Sequence, residues 1–203
     1  RNHDGNFWVP NFIEPKSVAI GTDKFLDDGI VLISPTGEVL FEKSVIELLD
    51  DNGLGYLIYG KGTAYDDPVH LNEIEPVLVD GPYWNKGDVF LSLRHQSMIV
   101  LYRPSTNQVM WYKQGPWIHQ HDVDILNDHQ ISIFNNNAPT QHRGDWAVRG
   151  VNNVLVFDFD TDEVSSPWQT GFEILDIRTI TDGRGYLFDN EVLVEETNYG
   201  RLI

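Results

Sequence analysis

Three histidine-bearing stretches carry the side chains that hold and move an oxyanion. They are Asp67-Pro68-Val69-His70-Leu71-Asn72, Ser92-Leu93-Arg94-His95-Gln96-Ser97 and His119-Gln120-His121-Asp122. An imidazole is nucleophilic and exchanges protons near neutral pH. A guanidinium offers paired donors that match sulfate or phosphate oxygens. Together they supply what group transfer at an oxyanion needs. His70 and His121 are the candidate catalytic imidazoles, because each is expected on the first strand of its segment. Arg143 is the candidate catalytic arginine, in an Asn-rich loop over 135–150 that follows a strand. Asn72, Arg94, His119 and Arg149 are candidate substrate contacts. Asn72 is placed to orient His70, Arg94 ends a strand, and Arg149 begins one.

Each residue also has a plainer reading. A lone histidine caps a strand end or packs under a loop. Arg94 forms a surface ion pair in so acidic a chain, and Asn135 to Asn137 make turn hydrogen bonds. Recurrence on successive first strands favours the functional reading. Strand residues alternate faces, so His119 and His121 are expected on one face and Asp122 on the other. A His-x-His pair with a third histidine can ligate zinc or copper, but no carboxylate shares that face. No metal and no other cofactor is assigned. The run Asp158-Phe159-Asp160-Thr161-Asp162-Glu163 resembles half a calcium loop, lacks its central glycine, and reads as the acidic turn of a hairpin.

Composition narrows the partners. The 203 residues are 41% hydrophobic and 12% aromatic, enough for a packed core. Acidic residues number 31 against 14 basic, for a net charge of −17, which argues against nucleic acid and anionic membrane. An anion site must therefore bring its own arginine and histidine. Cysteine is absent, which excludes disulfides and thiolate chemistry. No apolar run approaches the length of a membrane-spanning helix. The chain opens at Arg1 rather than Met, so a leader segment is left open.

The elements that position these residues read as strands. Ile30–Ile33, the turn Pro35-Thr36-Gly37 and Glu38–Phe41 predict a hairpin. Ser44 and Glu47 have capping-box spacing and predict a helix over 44–51. A Gly-rich loop is expected from 52 to 68. From residue 69 a four-strand unit recurs, with Val89 and Ile131 separated by 42 residues. That period is the mark of a propeller blade. The expected fold class is all-β, a β-propeller segment of about three to four blades, with a β-sandwich as the competing architecture. Within a single domain or segment over 1–203, the blades are a partial one at 1–43, full ones at 69–117 and 118–170, and a truncated one at 171–203. In a propeller the first strand lines the central channel, so His70 and His121 are expected to face the axis. Open sheet edges are expected to pair with another copy or a partner.

The series "DPVHLNEIEPV", "GDVFLSLRHQSMIVLYRPSTNQVMWYKQGP", "HQHDVDILNDHQISIFNNN" and "EVLVEETNYGRLI" resembles the arylsulfotransferase family over most of residues 66–203. The resemblance implies a six-bladed propeller that passes sulfate from an aryl sulfate to a phenol by a ping-pong route through a sulfated histidine. It matches His70 to an inner histidine at the sulfate or phenol oxygen, His121 to a second one able to transfer protons, and Arg143 to the sulfate-binding arginine. It implies small aryl substrates and a periplasmic or extracellular location. One departure stands out. The family's nucleophilic histidine belongs near Glu195–Arg201, where this sequence has Asn198 and Tyr199, and no histidine follows His142. Either that histidine lies beyond Ile203, or the chain is a non-catalytic binding or structural module.

Overall fold

Apolar patterning sorts the strands into central and edge positions. Val89–Leu93 and Met98–Arg103 are buried at nearly every residue, as expected of strands covered on both faces. Gln108–Gln114 alternates exposed and half-buried residues, the pattern of an edge. The computed structural model describes residues 1–17, 25–60, 66–139, 147–189 and 191–203 and is mostly β. The chain divides into two compact units, Arg1–Lys113 and Gln114–Ile203.

The N-terminal unit opens with a sheet of β1 (Phe7–Phe12), β2 (Asp28–Ile33) and β3 (Val39–Ser44). Helix α1 (Val45–Asp51) follows, close to the predicted span. Ser44 caps it by accepting from the Glu47 N–H at 3.2 Å while donating to buried Asp27 at 2.6 Å. The Gly-rich segment is not all loop. It contains the one-turn helix α2 (Tyr56–Tyr59), because burial of Leu57 and Ile58 overrides the weak helix preference of the flanking glycines. A second sheet runs β4 (Leu71–Pro76), β5 (Val89–Leu93), β6 (Met98–Arg103) and β7 (Gln108–Gln114), and a 3₁₀ turn over Arg94–Gln96 joins β5 to β6. One core joins Val45, Ile46, Leu48 and Leu49 of α1 to Leu91, Leu93, Met98 and Val100 of the second sheet.

The C-terminal unit has a four-stranded sheet, β8 (His121–Ile125), β9 (Gln130–Asn135), β10 (Asn153–Asp158) and β11 (Glu163–Ser165). A smaller sheet follows, β12 (Arg184–Phe188), β13 (Glu191–Glu196) and β14 (Arg201–Leu202). Between them in sequence lies helix α3 (Gln169–Leu175), at the opening of the truncated blade expected over 171–203. Phe172 is buried against Phe134, with ring centroids 6.4 Å apart, and that contact settles the helix into the core. In all four sheets, neighbours in space are neighbours in sequence, and among the described residues no sheet closes on itself.

Two strands carry a matching irregularity. In β4, Leu71 faces Leu93 and Glu73 faces Ser92, so Asn72 is an extra residue. In β8, His121 faces Phe134 and Val123 faces Ile133, so Asp122 is the extra residue. Such bulges re-aim side chains and recur beside functional sites. The residues around them bend the chain further. His70 (φ 54°), His119 (φ 50°) and Asp122 (φ 55°) all lie in the left-handed region. This corrects the expectation that His70 lies on the first strand of its segment, since it precedes β4. It also removes the basis for placing His119 and His121 on one face, because face alternation requires extended backbone between them.

Gly183 shows how tightly the second unit is closed. Its φ is +93°, and an added Cβ would lie 2.7 Å from both the Phe134 ring and the Thr179 methyl. Gly183→Ala is expected to cost about 2–4 kcal/mol, from backbone strain plus overpacking. Urea unfolding of the purified protein measures it, and an unchanged midpoint would contradict the packing described.

Candidate functional site

Two clusters of polar side chains stand at the strand irregularities, one in each unit. The first is built on the turn entering β4. His70 Nδ1 lies 2.5 Å from Asp67 Oδ2, an i,i+3 contact across that turn. Asp67 Oδ1 is buried and has no hydrogen-bond partner among the described residues. The carboxylate therefore depends on the histidines for compensation. Burial pushes Asp67 up, but the His70 hydrogen bond and the charges of His70 and His95 outweigh it and hold Asp67 below the ordinary carboxylate range. Asp67 is thus the acceptor and His70 Nδ1–H the donor. The other ring nitrogen, Nε2, has no hydrogen-bond partner among the described residues.

His95 packs on His70, with ring centroids 4.5 Å apart. The Arg94 NH1 group lies 3.0 Å from His95 Nε2, and a guanidinium can only donate. His95 therefore carries its proton on Nδ1 and donates it to the Asp67 carbonyl at 2.7 Å. Burial, together with the charges of His70 and Arg94, pushes His95 below the ordinary imidazole value, and Asp67 only partly offsets this. The Gln96 side chain donates to the Pro68 carbonyl at 2.5 Å, and the backbone N–H groups of Arg94 and His95 bond the carbonyls of His70 and Val69. The 3₁₀ turn thus clamps the Asp67–His70 turn from behind.

Asp28 of β2 completes this cluster. It is buried and accepts the Leu71 N–H at 3.1 Å, next to left-handed His70. Burial pushes its carboxyl up to about 6, and the Asp67 charge adds to this, while the Leu71 N–H and the His70 charge oppose it. Ligand atoms of Asp67, His70 and His95 lie within 4.8 Å of one another, a spacing a cation can use. The donor set does not suit one. A metal on His95 Nδ1 would need Nε2 to carry the proton, directly against the Arg94 donor.

The second cluster surrounds His121, which is 8% exposed. The Asn136 amide nitrogen donates to the carbonyls of Asp182 (2.8 Å) and Thr179 (3.3 Å), so its oxygen accepts from His121 Nδ1–H at 2.8 Å. His121 Nε2 then accepts the Asp182 N–H at 3.2 Å. Both ring nitrogens are engaged, and His121 bridges β8 to the turn before β12. Asn152 reinforces that turn, accepting from Thr179 N–H and donating to the carbonyls of Thr179 and Asn136. Asn198 does similar work. Its side-chain oxygen accepts from Ile180 and Thr181, and its amide donates to Thr181 Oγ1 at 2.9 Å.

The other expected site residues divide. His119 donates from Nδ1 to the Ala138 carbonyl at 2.8 Å. Arg94 is 4% exposed and faces His95 rather than solvent. Asn72 is the bulge residue of β4, and the His70 imidazole bonds Asp67. Arg149 is exposed beside a cleft. Arg143 lies outside the described residues. Among the described residues, neither His119 nor His121 belongs to a group of three possible metal ligands. The Asp158 run forms the turn between β10 and β11, with Asp158 accepting from the backbone of Asp160 and Thr161. Sequence reasoning missed the roles of Asp67, Asp28 and Asn136. An Asp three residues before a His was the one visible signal.

The family model described as Arylsulfotransferase (ASST) matches residues 2–203, essentially the whole chain. No curated protein and no solved structure matches it.

The buried Asp28 carboxyl makes stability depend on pH. Its folded value, about 6, lies above the ordinary 3.8, so the folded state binds this proton more tightly. The resulting stabilisation is fully present below about pH 4 and is lost as pH rises through about 6. The difference of roughly two units corresponds to about 3 kcal/mol. Asp28→Asn keeps an acceptor for Leu71 N–H without the charge. Relative to wild type, it should gain about 2 kcal/mol in urea unfolding between pH 4.5 and pH 7.5. No relative gain would mean the carboxyl titrates normally.

Proposed function

Because this chain belongs to the arylsulfotransferase family, we propose that it transfers a sulfuryl group from an aryl sulfate to a phenol, with the Asp67–His70 pair at the reacting aryl oxygen. The observation that carries this reading is the 2.5 Å contact between Asp67 and His70 Nδ1, which leaves Nε2 as the reactive lone pair. A carboxylate behind an imidazole fixes its tautomer and balances the charge it gains on protonation. In the ping-pong route that the family resemblance implies, a nucleophilic histidine nitrogen bonds to sulfur as the donor S–O bond breaks, and the departing phenolate takes a proton from the His70 imidazolium. In the second half-reaction an acceptor phenol gives its proton to Nε2 as its oxygen bonds to sulfur and the nitrogen–sulfur bond breaks. One proton leaves and one returns, so His70 ends as it began.

The remaining assignments follow the family resemblance. His121 is the second imidazole, Arg143 holds sulfate, and Asn72, Arg94, His119 and Arg149 are supporting contacts. The geometry weights them unequally, since His121 is tied at both nitrogens and Arg94 is spent on His95. The four sheets are read as propeller blades, their open edges covered by a second copy or a partner, in a periplasmic or extracellular protein.

Asn198 favours a second reading. It stands near the place of the family's nucleophilic histidine and acts as a scaffold for the 180–181 turn. On that reading the chain is a binding module without turnover. A chromogenic aryl sulfate with a phenol acceptor separates the two. His70→Gln and Asp67→Asn should each lower kcat by about 100-fold or more, the range of a lost general acid–base. Turnover that survives both substitutions contradicts the Asp67–His70 assignment. No turnover by wild type, with aryl sulfate still bound, supports the binding module.

A further inference from the structure

A cleft of about 350 Å³ opens in the C-terminal unit between the start of β10 and helix α3. Asn137, Arg149, Asn153, Gln169, Asp176 and Arg178 are among its walls. The amides are committed to one another. Asn153 donates to Gln169, whose own amide donates to Glu173, and Asn137 donates to the carbonyls of Arg149 and Val151. Asp176 holds Arg178 Nε at 2.6 Å and so sets its direction. Two carboxylates share these walls with the two arginines, Asp176 paired with Arg178 and Glu173 accepting from Gln169. The Arg149 guanidinium has no hydrogen-bond or ion-pair partner among the described residues, and the terminal nitrogens of Arg178 are uncommitted there too. In a chain of net charge −17, an arginine left unpaired in a concavity is the unusual feature.

The cleft is joined to the His121 cluster by three consecutive residues. Asn135 bonds Asn153, Asn136 bonds His121, and Asn137 lines the cleft. Adjacent residues Asn136 and Asn137 therefore contact one site each.

We propose that this cleft is an oxyanion subsite, in which Arg149 and Arg178 grip the sulfate or carboxylate group of a small aromatic molecule. Two guanidinium forks match such a group through paired charge-assisted bonds, and their planes can lie against an aromatic ring. The volume exceeds that of a bare ion and leaves space for one ring. That the occupant is a substrate rests on the sulfate-transfer reading. The binding of an oxyanion does not.

Equilibrium titration tests the subsite without any turnover. Inorganic sulfate, 4-hydroxybenzoate and phenol are titrated calorimetrically into the protein at fixed ionic strength, with chloride as the balancing salt. Sulfate and 4-hydroxybenzoate should bind saturably, and phenol about tenfold more weakly or not at all. Arg149→Ala and Arg178→Ala should each weaken both anions by roughly tenfold, while Arg149→Lys keeps part of the affinity. Stronger sulfate binding points to the sulfate donor as the occupant, and stronger 4-hydroxybenzoate binding to an acidic acceptor. Absence of saturable anion binding, or affinity unchanged in both alanine variants, overturns the proposal. Because the readout is binding, failure here leaves the Asp67–His70 assignment standing, and loss of turnover leaves the subsite standing.

Discussion

The short bond between Asp67 and His70 is the interaction on which the rest of the N-terminal unit turns. It requires His70 to enter β4 through a left-handed residue, at the cost of an unfavourable backbone conformation. Three contacts hold it there. Asp28 accepts the next N–H, the 3₁₀ turn bonds the His70 and Val69 carbonyls, and Gln96 reaches the Pro68 carbonyl. A side chain on a bend maintained from several directions has little rotational freedom to lose on meeting a substrate.

Charge is distributed around that bond in a definite order. Asp67 is held below the ordinary carboxylate range, His95 is pushed below the ordinary imidazole value chiefly by burial, and burial raises the Asp28 carboxyl to about 6. One carboxylate thus faces one imidazole across a short hydrogen bond. In the C-terminal unit His121 contrasts with this, because its two nitrogens are already filled by Asn136 and Asp182. Two histidines that look alike in sequence serve different ends, one left with a free lone pair and the other knitting a strand to a turn.

What was legible in the sequence followed physical periodicity. Continuous apolar runs marked the central strands, Ser44 and Glu47 marked the start of α1, and the Asp158 run marked a hairpin turn. What was not legible depended on tertiary contacts. Helix α3 exists because Phe172 meets Phe134, and α2 because Leu57 and Ile58 reach the core. Single-residue bulges at Asn72 and Asp122 shift the register in a way no alternation pattern announces. Candidate histidines could be picked out by type and spacing. Their partners could not, since Asn136 looked like a turn residue and Asp28 is distant from His70 in sequence.

The tautomer of His70 tests the central claim most directly. Two-bond ¹⁵N–¹H correlation spectra of the histidine rings, recorded at a pH where the imidazole is neutral, report which nitrogen bears the proton. His70 is expected to carry it on Nδ1, facing the Asp67 carboxylate, and Asp67→Asn to disturb this resonance selectively. A His70 ring protonated on Nε2 in the wild-type protein would contradict it.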